Sequence, residues 1–470
     1  MSSERIPVLH ESSLKAAAGG RKREYRFPPG LELNLIFYAF RKFRPQDPIR
    51  LFEYLVEKYG PVSHYRIGPE HIVFVNDPEL IREVLVVQND NFVKERTVQR
   101  TKMLLGEGMI TAEGEKHRAQ RRVAQPAFHR RRITGYAETM AAEALRVRER
   151  WRDGETMDVS QEMIGLTLEI VSQTLFDTRL GPEVKEIAAA INQIMDLYHF
   201  LVVLPAAEAL VNFPIPQMRR FRRAKARLDA VVQRMIENRL RSDGEHEDLL
   251  DMMLRGAGVE RMEDLSAETS EYLRDQIITI FLAGYETTAN AMTWTWYLLS
   301  QNPSVEERMH AEIDRVLGGR VPTVDDGPQM KYAEMVMAES MRLYPPAWAM
   351  GRKALNDFEL GPYYLPKGTT VLASQWIAHR DARYWPEPLE FRPERFAADV
   401  PPRPKFSYFP FGAGTRQCIG ESFAWMECVL ILATLAQKWR LRLVPGHRVK
   451  PQPLITLRPK YGMKMVAEQH

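Results

Sequence analysis

Residues 411–420 read FGAGTRQCIG, and this segment constrains the chain more than any other. It places Cys418 among three glycines and one arginine, directly before an apolar stretch of helical character. Glycine allows turns that are closed to other residues and lets a backbone approach a flat ligand closely. A thiolate is stabilised by a nearby cation and by a helix N-terminus, which Arg416 and the following helix can supply. The segment therefore predicts a loop that offers one sulfur atom to a metal.

The chain of 470 residues contains only two cysteines, Cys418 and Cys428. Ten residues of helix would separate them by about 15 Å, which is too far for a disulfide. Without a disulfide framework, a reducing cytoplasm is the expected compartment. Cys428 lies in the apolar run ECVLILATL and is interpreted as a core residue. The two cysteines are thus predicted to have different roles.

Charge and hydropathy exclude several classes of protein. The net charge is only +4, which is too balanced to indicate a nucleic-acid partner. No apolar run reaches the roughly 20 residues of a membrane-spanning helix, so no transmembrane anchor is expected. Residues 1–27 are interpreted as a solvated polar tail, although their segment RKREYR is also compatible with peripheral contact to a lipid surface. Residues 28–470 are predicted to form one domain.

Helix-period apolar patterns dominate the chain from residue 78 to about residue 332. The longest predicted helix covers residues 267–300, with Ser266 as its cap and Asn302-Pro303 as its stop. The other predicted elements are a helix over 31–58 and strands over 64–67, 72–75, 358–360, 369–373, 440–444 and 464–466. Two long irregular stretches, 91–112 and 381–411, are typical of functional loops. The pattern indicates a mainly helical fold with small β-sheets.

The surroundings of Cys418 do not fit an ordinary buried cysteine. A tetrahedral zinc site needs further cysteine or histidine ligands, and no CxxC or HxxxH spacing lies nearby. A single thiolate is, however, sufficient as the protein ligand of haem iron. Phe411 would then lie against the sulfur face of the porphyrin.

The run FGAGTRQCIG resembles the cysteine-ligand loop of the cytochrome P450 family, whose pattern is Phe-x-x-Gly-x-Arg-x-Cys-x-Gly. Other landmarks of the family follow in the expected order, from about Pro28 to the C-terminus. The resemblance implies an α+β fold, mainly α with small β-sheets, in which a long central helix lies over haem b and the cysteine loop lies on the opposite face. Cys418 would be the axial ligand of the haem iron.

The motif AGYETT, residues 283–288, lies in the middle of the longest predicted helix. A threonine hydroxyl in a helix can bond to the carbonyl four residues back and bend the helix. From the residues alone, a solvated acid with structural threonines is an equal alternative. The motif resembles the oxygen-activation motif of the family. That resemblance implies that Thr287 presents its hydroxyl to the activated oxygen, Glu286 feeds protons from solvent, and Ala283 packs on the porphyrin.

Glu339 and Arg342 are three residues apart and can pair on one helix face. A surface ion pair of little energetic worth is one interpretation. The Met- and Leu-rich context favours burial instead, and the segment resembles the Glu-x-x-Arg motif of the family. Its third member there belongs to a Pro-x-Arg-Phe motif, which in this chain supplies Arg395. The resemblance implies a scaffold that fixes the loop leading to the cysteine.

Basic residues near the predicted site can hold the two haem propionates, which attract arginine and histidine. The resemblance assigns this role to Arg416, to Arg352 on an extended segment, and to the pair His117 and Arg121, which share one helix face. The neighbouring Arg118 and Arg122 are interpreted as a solvated basic face, with reception of an acidic electron donor as the alternative. His379 is interpreted as structural.

The reaction implied by the resemblance is insertion of one oxygen atom from O2 into an apolar substrate. No flavin or iron–sulfur segment is recognisable in the sequence, so electrons are expected from a ferredoxin or flavodoxin-type donor with its reductase. The thiolate ligand favours O–O cleavage, and the acid–threonine pair can supply the protons that cleavage consumes. A monomeric enzyme is expected.

The substrate is less constrained than the reaction. Residues 91–112 and the apolar segment 191–218 are expected to build the pocket, and Lys94, Arg96, Arg100 and Lys102 are candidates to bind a carboxylate. A fatty acid or another lipid-like molecule is the first expectation, and a steroid or terpenoid is the second. Two further alternatives are a peroxide-dependent hydroxylase or isomerase of the same fold and a non-enzymatic haem sensor. The pair of Glu286 and Thr287 argues against both, because neither needs a proton relay.

Overall fold

Helices form most of the chain in the computed structural model, which describes residues 23–31, 47–180, 187–191, 193, 216–242, 244 and 246–470. The described α-helices are α1 Pro48–Tyr59, α2 Pro78–Arg82, α3 Arg96–Arg100, α4 Lys102–Leu105, α5 Gly114–Ala124, α6 Arg130–Arg150, α7 Val159–Phe176, α8 Pro216–Arg241, α9 Leu249–Gly256, α10 Ala267–Gln301, α11 Pro303–Leu317, α12 Lys331–Leu343, α13 Gln375–Ala378 and α14 Glu421–Ala436. Short 3-10 turns and one π-helical turn, Glu83–Val87, connect several of them.

The strands of the described residues are short and form four sheets. They are β1 Val62–Ile67, β2 Glu70–Val75, β3 Phe92–Lys94, β4 Thr156–Asp158, β5 Met350–Ala354, β6 Phe358–Leu360, β7 Tyr363–Leu365, β8 Thr370–Ala373, β9 Trp439–Leu443, β10 Pro451–Pro453, β11 Leu457–Pro459 and β12 Lys464–Gln469. The largest sheet has the order β1-β2-β8-β5-β3, and only its β2–β8 pair is parallel. The mainly helical architecture with small sheets is as predicted.

Helix α10 is the central element and follows its predicted bounds to within one residue. Ser266 caps its first turn by accepting a hydrogen bond from the Thr269 amide at 3.1 Å, and the helix ends at Asn302 before Pro303. Most of its side chains are buried, because other helices cover it on several sides. Helix α7 packs closely against it, and Thr167 of α7 donates to the Tyr285 carbonyl at 2.9 Å.

Helix α14 places Cys428 in the main hydrophobic core, where the sequence predicted it. Its apolar run from residue 428 to residue 436 is buried almost without interruption. Because α14 begins at Glu421, it starts only three residues after Cys418 and ties the cysteine loop to this core.

One sequence prediction needs correction, and parts of others lie outside the described residues. Residues 91–112 are not an irregular loop, because they fold into β3, α3 and α4 before α5 begins. The predicted helix over 31–58 is described only from Pro48, where α1 begins, and residues 32–46 lie outside the described residues. Most of the tail 1–27 and most of the apolar segment 191–218 also lie outside them.

No helix among the described residues is long and apolar enough to cross a membrane.

Candidate active site

The cysteine loop is shaped by two glycines with positive φ, Gly412 and Gly414, both at φ 70°. A Cβ atom on Gly414 would lie 2.1 Å from the Leu85 carbonyl oxygen, so only glycine fits there. The Cys418 amide then donates to the Phe411 carbonyl at 2.9 Å and closes the loop. These contacts fix the position of the sulfur relative to the start of α14.

Cys418 is exposed, although protein surrounds it closely enough that burial raises the pKa of its thiol. Both observations fit a sulfur that faces an internal cavity. Arg121 and the Gly420 amide oppose the rise in the thiol pKa. Arg416 was expected to assist ionisation, but its guanidinium pairs with Glu113 instead. A metal is therefore the natural source of the charge that a thiolate at this position would need.

At the centre of α10, two side chains are accessible within an otherwise buried stretch of the helix. Ala283 is exposed and Thr287 is half-buried, while the residues before them, 277–282, are all buried. The Thr287 hydroxyl donates to the Ala283 carbonyl at 2.7 Å, which is the back-bond predicted from the sequence. The helix continues without interruption through this point. A small apolar residue and a hydroxyl are thus presented to a space inside the protein.

A cluster of cations lies beside the cysteine loop, and it includes all four residues assigned to the propionates. The residues are His117, Arg121, Arg352 and Arg416, joined by Lys94, which pairs with Arg352 across β3 and β5. Burial and the neighbouring cations lower the pKa of His117 to about 4. The same causes lower the pKa of Lys94 to about 7, although Glu113 opposes the shift.

This cluster has too few anions for its cations. Burial followed by repulsion from Arg416 lowers the pKa of Arg352 to about 10, and Glu113 and Glu95 only partly offset that effect. A ligand with two carboxylates would relieve the repulsion. The cluster, the exposed sulfur and the two accessible side chains of α10 together fit a haem, whose propionates would meet the cations and whose flat face would meet Ala283.

The cluster also contains residues that the sequence did not assign to it. Lys94 was named only as a candidate to bind a substrate carboxylate, whereas its ammonium group donates to the Met109 and Ala112 carbonyls at 3.0 and 2.7 Å. Glu113 accepts from the Lys94 amide at 2.6 Å and pairs with Arg416. The only sequence signal for Glu113 was its position directly before α5, the helix that carries His117 and Arg121. Arg121 donates to the Gln417 carbonyl at 2.8 Å and so contacts the cysteine loop itself.

Glu339, Arg342 and Arg395 form a buried network, as the sequence predicted. Arg342 donates to Glu339 at 2.6 and 2.7 Å, and Arg395 donates to the same carboxylate at 3.2 Å. Arg342 also donates to the His379 carbonyl at 2.8 Å. The His379 ring accepts from the Phe409 amide at 3.0 Å, two residues before the cysteine loop begins. The network therefore reaches the loop through His379, which is structural as interpreted.

Glu286, to which the resemblance assigned proton delivery from solvent, lies in a buried ion pair. Its side chain is 1% exposed and pairs with Arg458 of β11 at 2.8 Å, and the Thr456 hydroxyl contacts the same carboxylate oxygen. Arg458 and Thr456 could not be found from the sequence, because some 170 residues separate them from Glu286. Within the described residues, no cluster of three or more His, Cys, Asp or Glu side chains could hold a metal ion.

A positively charged groove of about 1130 Å³ opens beside the cysteine loop. Its basic lining residues are His117, Arg118, Arg121, Arg122, His129, Arg131, Arg132 and Arg416. Arg118 and Arg122 are exposed, as expected for a solvated basic face, while His117 and Arg121 of the same helix turn inward. The groove gives this face of the molecule a strong positive potential.

Comparison with known proteins gives long and consistent matches. The family model described as Cytochrome P450 matches residues 28–465. Cyclooctatin synthase from Streptomyces melanosporofaciens is 37% identical over 405 residues, which cover 85% of this chain and 87% of that protein. Cyclooctat-9-en-7-ol 5-monooxygenase from the same organism is 37% identical over 390 residues, covering 83% and 84%. Pentalenene oxygenase from Streptomyces avermitilis is 34% identical over 404 residues, covering 85% and 88%.

Proposed function

We propose, from the premise that this chain belongs to the cytochrome P450 family, that it oxidises a cyclic terpenoid with electrons from an acidic protein donor. The chain is a monooxygenase with haem b as its cofactor. Thiolate-ligated haem supplies O2 activation and oxygen insertion into a C–H bond. The protein residues supply the ligand, the proton path, the scaffold and the substrate pose.

The roles of the site residues are part of this proposal. Cys418 is the iron ligand, and the observation that carries this role is the exposure of its side chain within a tightly closed loop. His117, Arg121, Arg352 and Arg416 hold the propionates, and Phe411 and Ala283 pack on the two faces of the ring. The unbalanced charge of the cation cluster supports this arrangement.

Thr287 and Glu286 are proposed to serve the oxygen side. The half-buried Thr287 hydroxyl is the polar group that α10 presents next to the exposed Ala283. It can donate or accept a hydrogen bond at the reacting oxygen, and Glu286 in the preceding position is an ionisable group that can pass protons on from solvent. A peroxide-dependent enzyme would have no use for this pair, so the O2-dependent reaction is favoured.

The substrate is proposed to be an uncharged cyclic terpenoid rather than a fatty acid, which was the first expectation. Of the cations considered for a carboxylate, Lys94 is bound to two backbone carbonyls and Lys102 pairs with Glu107 at 2.6 Å. Arg96 is exposed, and Arg100 already has a partner. The names of the similar proteins refer to cyclooctat-9-en-7-ol and to pentalenene, which are cyclic terpenoids.

Isotope labelling in a reconstituted system tests both the reaction and the substrate class. The enzyme is supplied with NADPH, a ferredoxin, its reductase and ¹⁸O2, together with either a cyclic terpenoid or a fatty acid of equal carbon number. We expect product from the terpenoid that carries one labelled oxygen atom. Product formed only from the fatty acid would overturn the substrate proposal. Product that carries no labelled oxygen atom would overturn the reaction.

The groove is proposed to receive the electron donor, because ferredoxins and flavodoxins are acidic and a positive groove steers them. Replacing Arg122 and Arg131 together by glutamate should raise the KM for the donor and weaken its dependence on salt. Arg227→Glu, on the exposed side of α8, is the matched control and should leave both unchanged. Equal effects of the two substitutions would place the donor elsewhere.

A further inference from the structure

The partners of Glu286 come from the C-terminal hairpin formed by β10 and β11. Arg458 of β11 donates its Nε–H to Glu286 Oε1 at 2.8 Å, and Thr456 in the turn donates its hydroxyl to the same oxygen. Asn290, one helical turn after Glu286, donates its amide to the Thr456 hydroxyl at 3.2 Å. A chain of hydrogen bonds therefore runs from α10 to the hairpin and back to the carboxylate.

The two oxygens of Glu286 are used unequally. Oε1 accepts from both Arg458 and Thr456, whereas Oε2 is buried and accepts no hydrogen bond from any described residue. A buried carboxylate oxygen without a donor is costly, so native proteins seldom retain one without a use. One oxygen is thus fixed in position while the other stays open to a water molecule or a proton.

The hairpin that carries Arg458 is held firmly from three directions. Trp294 of α10 donates to the Leu457 carbonyl at 2.9 Å, and the Leu457 amide donates to the Pro346 carbonyl at 2.9 Å. Trp348 donates to the Leu454 carbonyl at 2.9 Å. Arg458 therefore projects from a fixed frame, and it holds the carboxylate in one place without reorganisation.

The charge of Arg458 has a second consequence. Glu286 is 1% exposed, and an isolated carboxylate buried to that degree would take up a proton and become neutral. The other titratable group beside it is Tyr285, which is buried and uncharged because burial raises the pKa of its phenol. Arg458 is the cation paired with this carboxylate, and its side chain is 14% exposed, so it connects the buried acid to the rim of the protein.

We propose that Arg458, assisted by Thr456, is a positioning residue that keeps Glu286 ionised and directs its open oxygen toward the proton path that serves Thr287. This inference rests on the proposed monooxygenase function and adds a third participant to the pair of acid and threonine. Arg458 acts through Glu286 and does not contact substrate. Without it, the buried Glu286 carboxylate would lose the cation that balances its charge among the described residues.

An ordinary structural ion pair is the competing explanation, and the chain offers a matched example. Arg442 of β9 donates to Glu306 of α11 at 2.7 and 2.9 Å, and Glu306 is also 1% exposed. Both pairs join a buried helical carboxylate to a strand arginine. The Arg442 pair uses both carboxylate oxygens, while the Arg458 pair uses one. Arg442→Met is therefore the control for loss of a buried ion pair.

The first test observes the protonation of Glu286 directly in the haem-loaded protein. Infrared spectra at neutral pH are compared for the wild type, Arg458→Met and the double variant Arg458→Met/Glu286→Gln. Glu427, whose pKa burial raises to about 8, gives a protonated-carboxyl band in all three proteins. We expect one additional band of this kind in Arg458→Met, and we expect it to be absent from the wild type and from the double variant. A spectrum of Arg458→Met without that band would overturn the ionising role, whatever the substrate of the enzyme.

The second test measures product formed per electron consumed. Arg458→Met should lower this ratio by at least about tenfold, which is less than the roughly 100-fold to 10,000-fold that a positioned acid or base contributes, because Arg458 acts only through Glu286. Arg458→Lys should restore most of it, because lysine keeps the charge, and Arg442→Met should leave it unchanged. Equal ratios for Arg458→Met and wild type would overturn the positioning role. If Arg458→Met fails to load haem, Arg458→Gln, which keeps a hydrogen-bond donor and removes the charge, decides the question. An unaltered ratio in Arg458→Gln would also overturn the positioning role.

The two tests separate this inference from the proposed function. A wild-type enzyme that yields no O2-derived product would refute the function, while the infrared comparison would still report whether Arg458 holds Glu286 ionised.

Discussion

Glu339 and Glu286 are both buried carboxylates that lie on helices and pair with arginine, but their bonding differs. Glu339 Oε1 accepts from Arg342, the Arg392 amide and Arg395, and its Oε2 accepts from Arg342 at 2.6 Å. From the described residues, Glu286 accepts hydrogen bonds through one oxygen only. A fully bonded buried carboxylate is rigid and inert, whereas one left partly open can exchange a proton. This difference matches the two proposed roles: Glu339 belongs to the scaffold that supports the cysteine loop, and Glu286 belongs to the proton path proposed on α10.

Glu427 of α14 extends this comparison to a carboxyl group that forms no ion pair with the part of the chain that the structure describes. It is fully buried, and neither oxygen meets the geometry of a hydrogen bond to a described residue. Burial raises the pKa of Glu427 to about 8, and the nearby Thr288 hydroxyl offsets only part of the rise. The number of hydrogen bonds that the described residues donate to the buried carboxyl group thus falls from Glu339 to Glu286 to Glu427.

The largest effect on stability is expected from a substitution in the buried network of Glu339, Arg342 and Arg395. Arg342→Ala removes two of the bonds to Glu339 and leaves that carboxylate buried and undercompensated, which should cost about 3–5 kcal/mol of unfolding free energy. Haem loading should fall with it, because the network supports Phe409 through His379. Denaturant unfolding and haem content measure both effects. The control is Arg392→Ala, which should behave like the wild type because the Arg392 side chain pairs with Glu387 and Glu390 at the surface. An Arg342→Ala protein as stable as the wild type would contradict the scaffold role of the network.

The next effect is a pH dependence that arises from Glu427. Its carboxyl binds a proton more tightly in the folded than in the unfolded protein, so its contribution to stability is complete below about pH 4.5 and is lost as the pH rises to about 8. Within that window it should lower the unfolding free energy by up to about 1.4 kcal/mol per pH unit. Urea unfolding across this range should be flatter for Glu427→Gln than for the wild type. Parallel curves would mean that Glu427 is ionised when folded.

Thr287→Ala is expected to have the smallest effect on stability, but it should change the yield of the reaction. The proposed proton path loses its hydroxyl, so product per electron should fall about tenfold while haem content stays normal. Thr287→Ser should recover most of the yield.

Thr293 provides the control for this substitution on the same helix. It makes the same 2.7 Å back-bond to the carbonyl four residues earlier, but its side chain is buried away from the exposed Ala283. Thr293→Ala should leave the yield unchanged. A fall of equal size in both variants would show that the back-bond matters and the cavity hydroxyl does not.

Local patterns predicted the parts of this molecule that local forces determine. The turn glycines and Cys418 defined the loop, the caps and periodicity defined α10 to within one residue, and the spacing of Glu339 and Arg342 placed them on one face. Each depends on residues within a few positions of one another, where geometry is nearly fixed by the backbone.

The partners that long-range packing brings together could not be predicted in this way. Arg458 meets Glu286 only because the C-terminal hairpin packs against α10, and Arg416 meets Glu113 only because α5 lies beside the cysteine loop. Residues 91–112 were misjudged because α3 and α4 are short and gain their stability from tertiary contacts. Pairing of distant charges depends on the fold and leaves no signal at the level of spacing.

The spectrum of the reduced protein with carbon monoxide tests the central claim, that Cys418 and not Cys428 ligates the haem iron. The wild type and Cys428→Ser should both give the band typical of thiolate ligation, because Cys428 is buried in the core of α14. Cys418→His should load haem and give the histidine type. A histidine-type band from the intact wild type, or loss of the thiolate band in Cys428→Ser alone, would contradict the account.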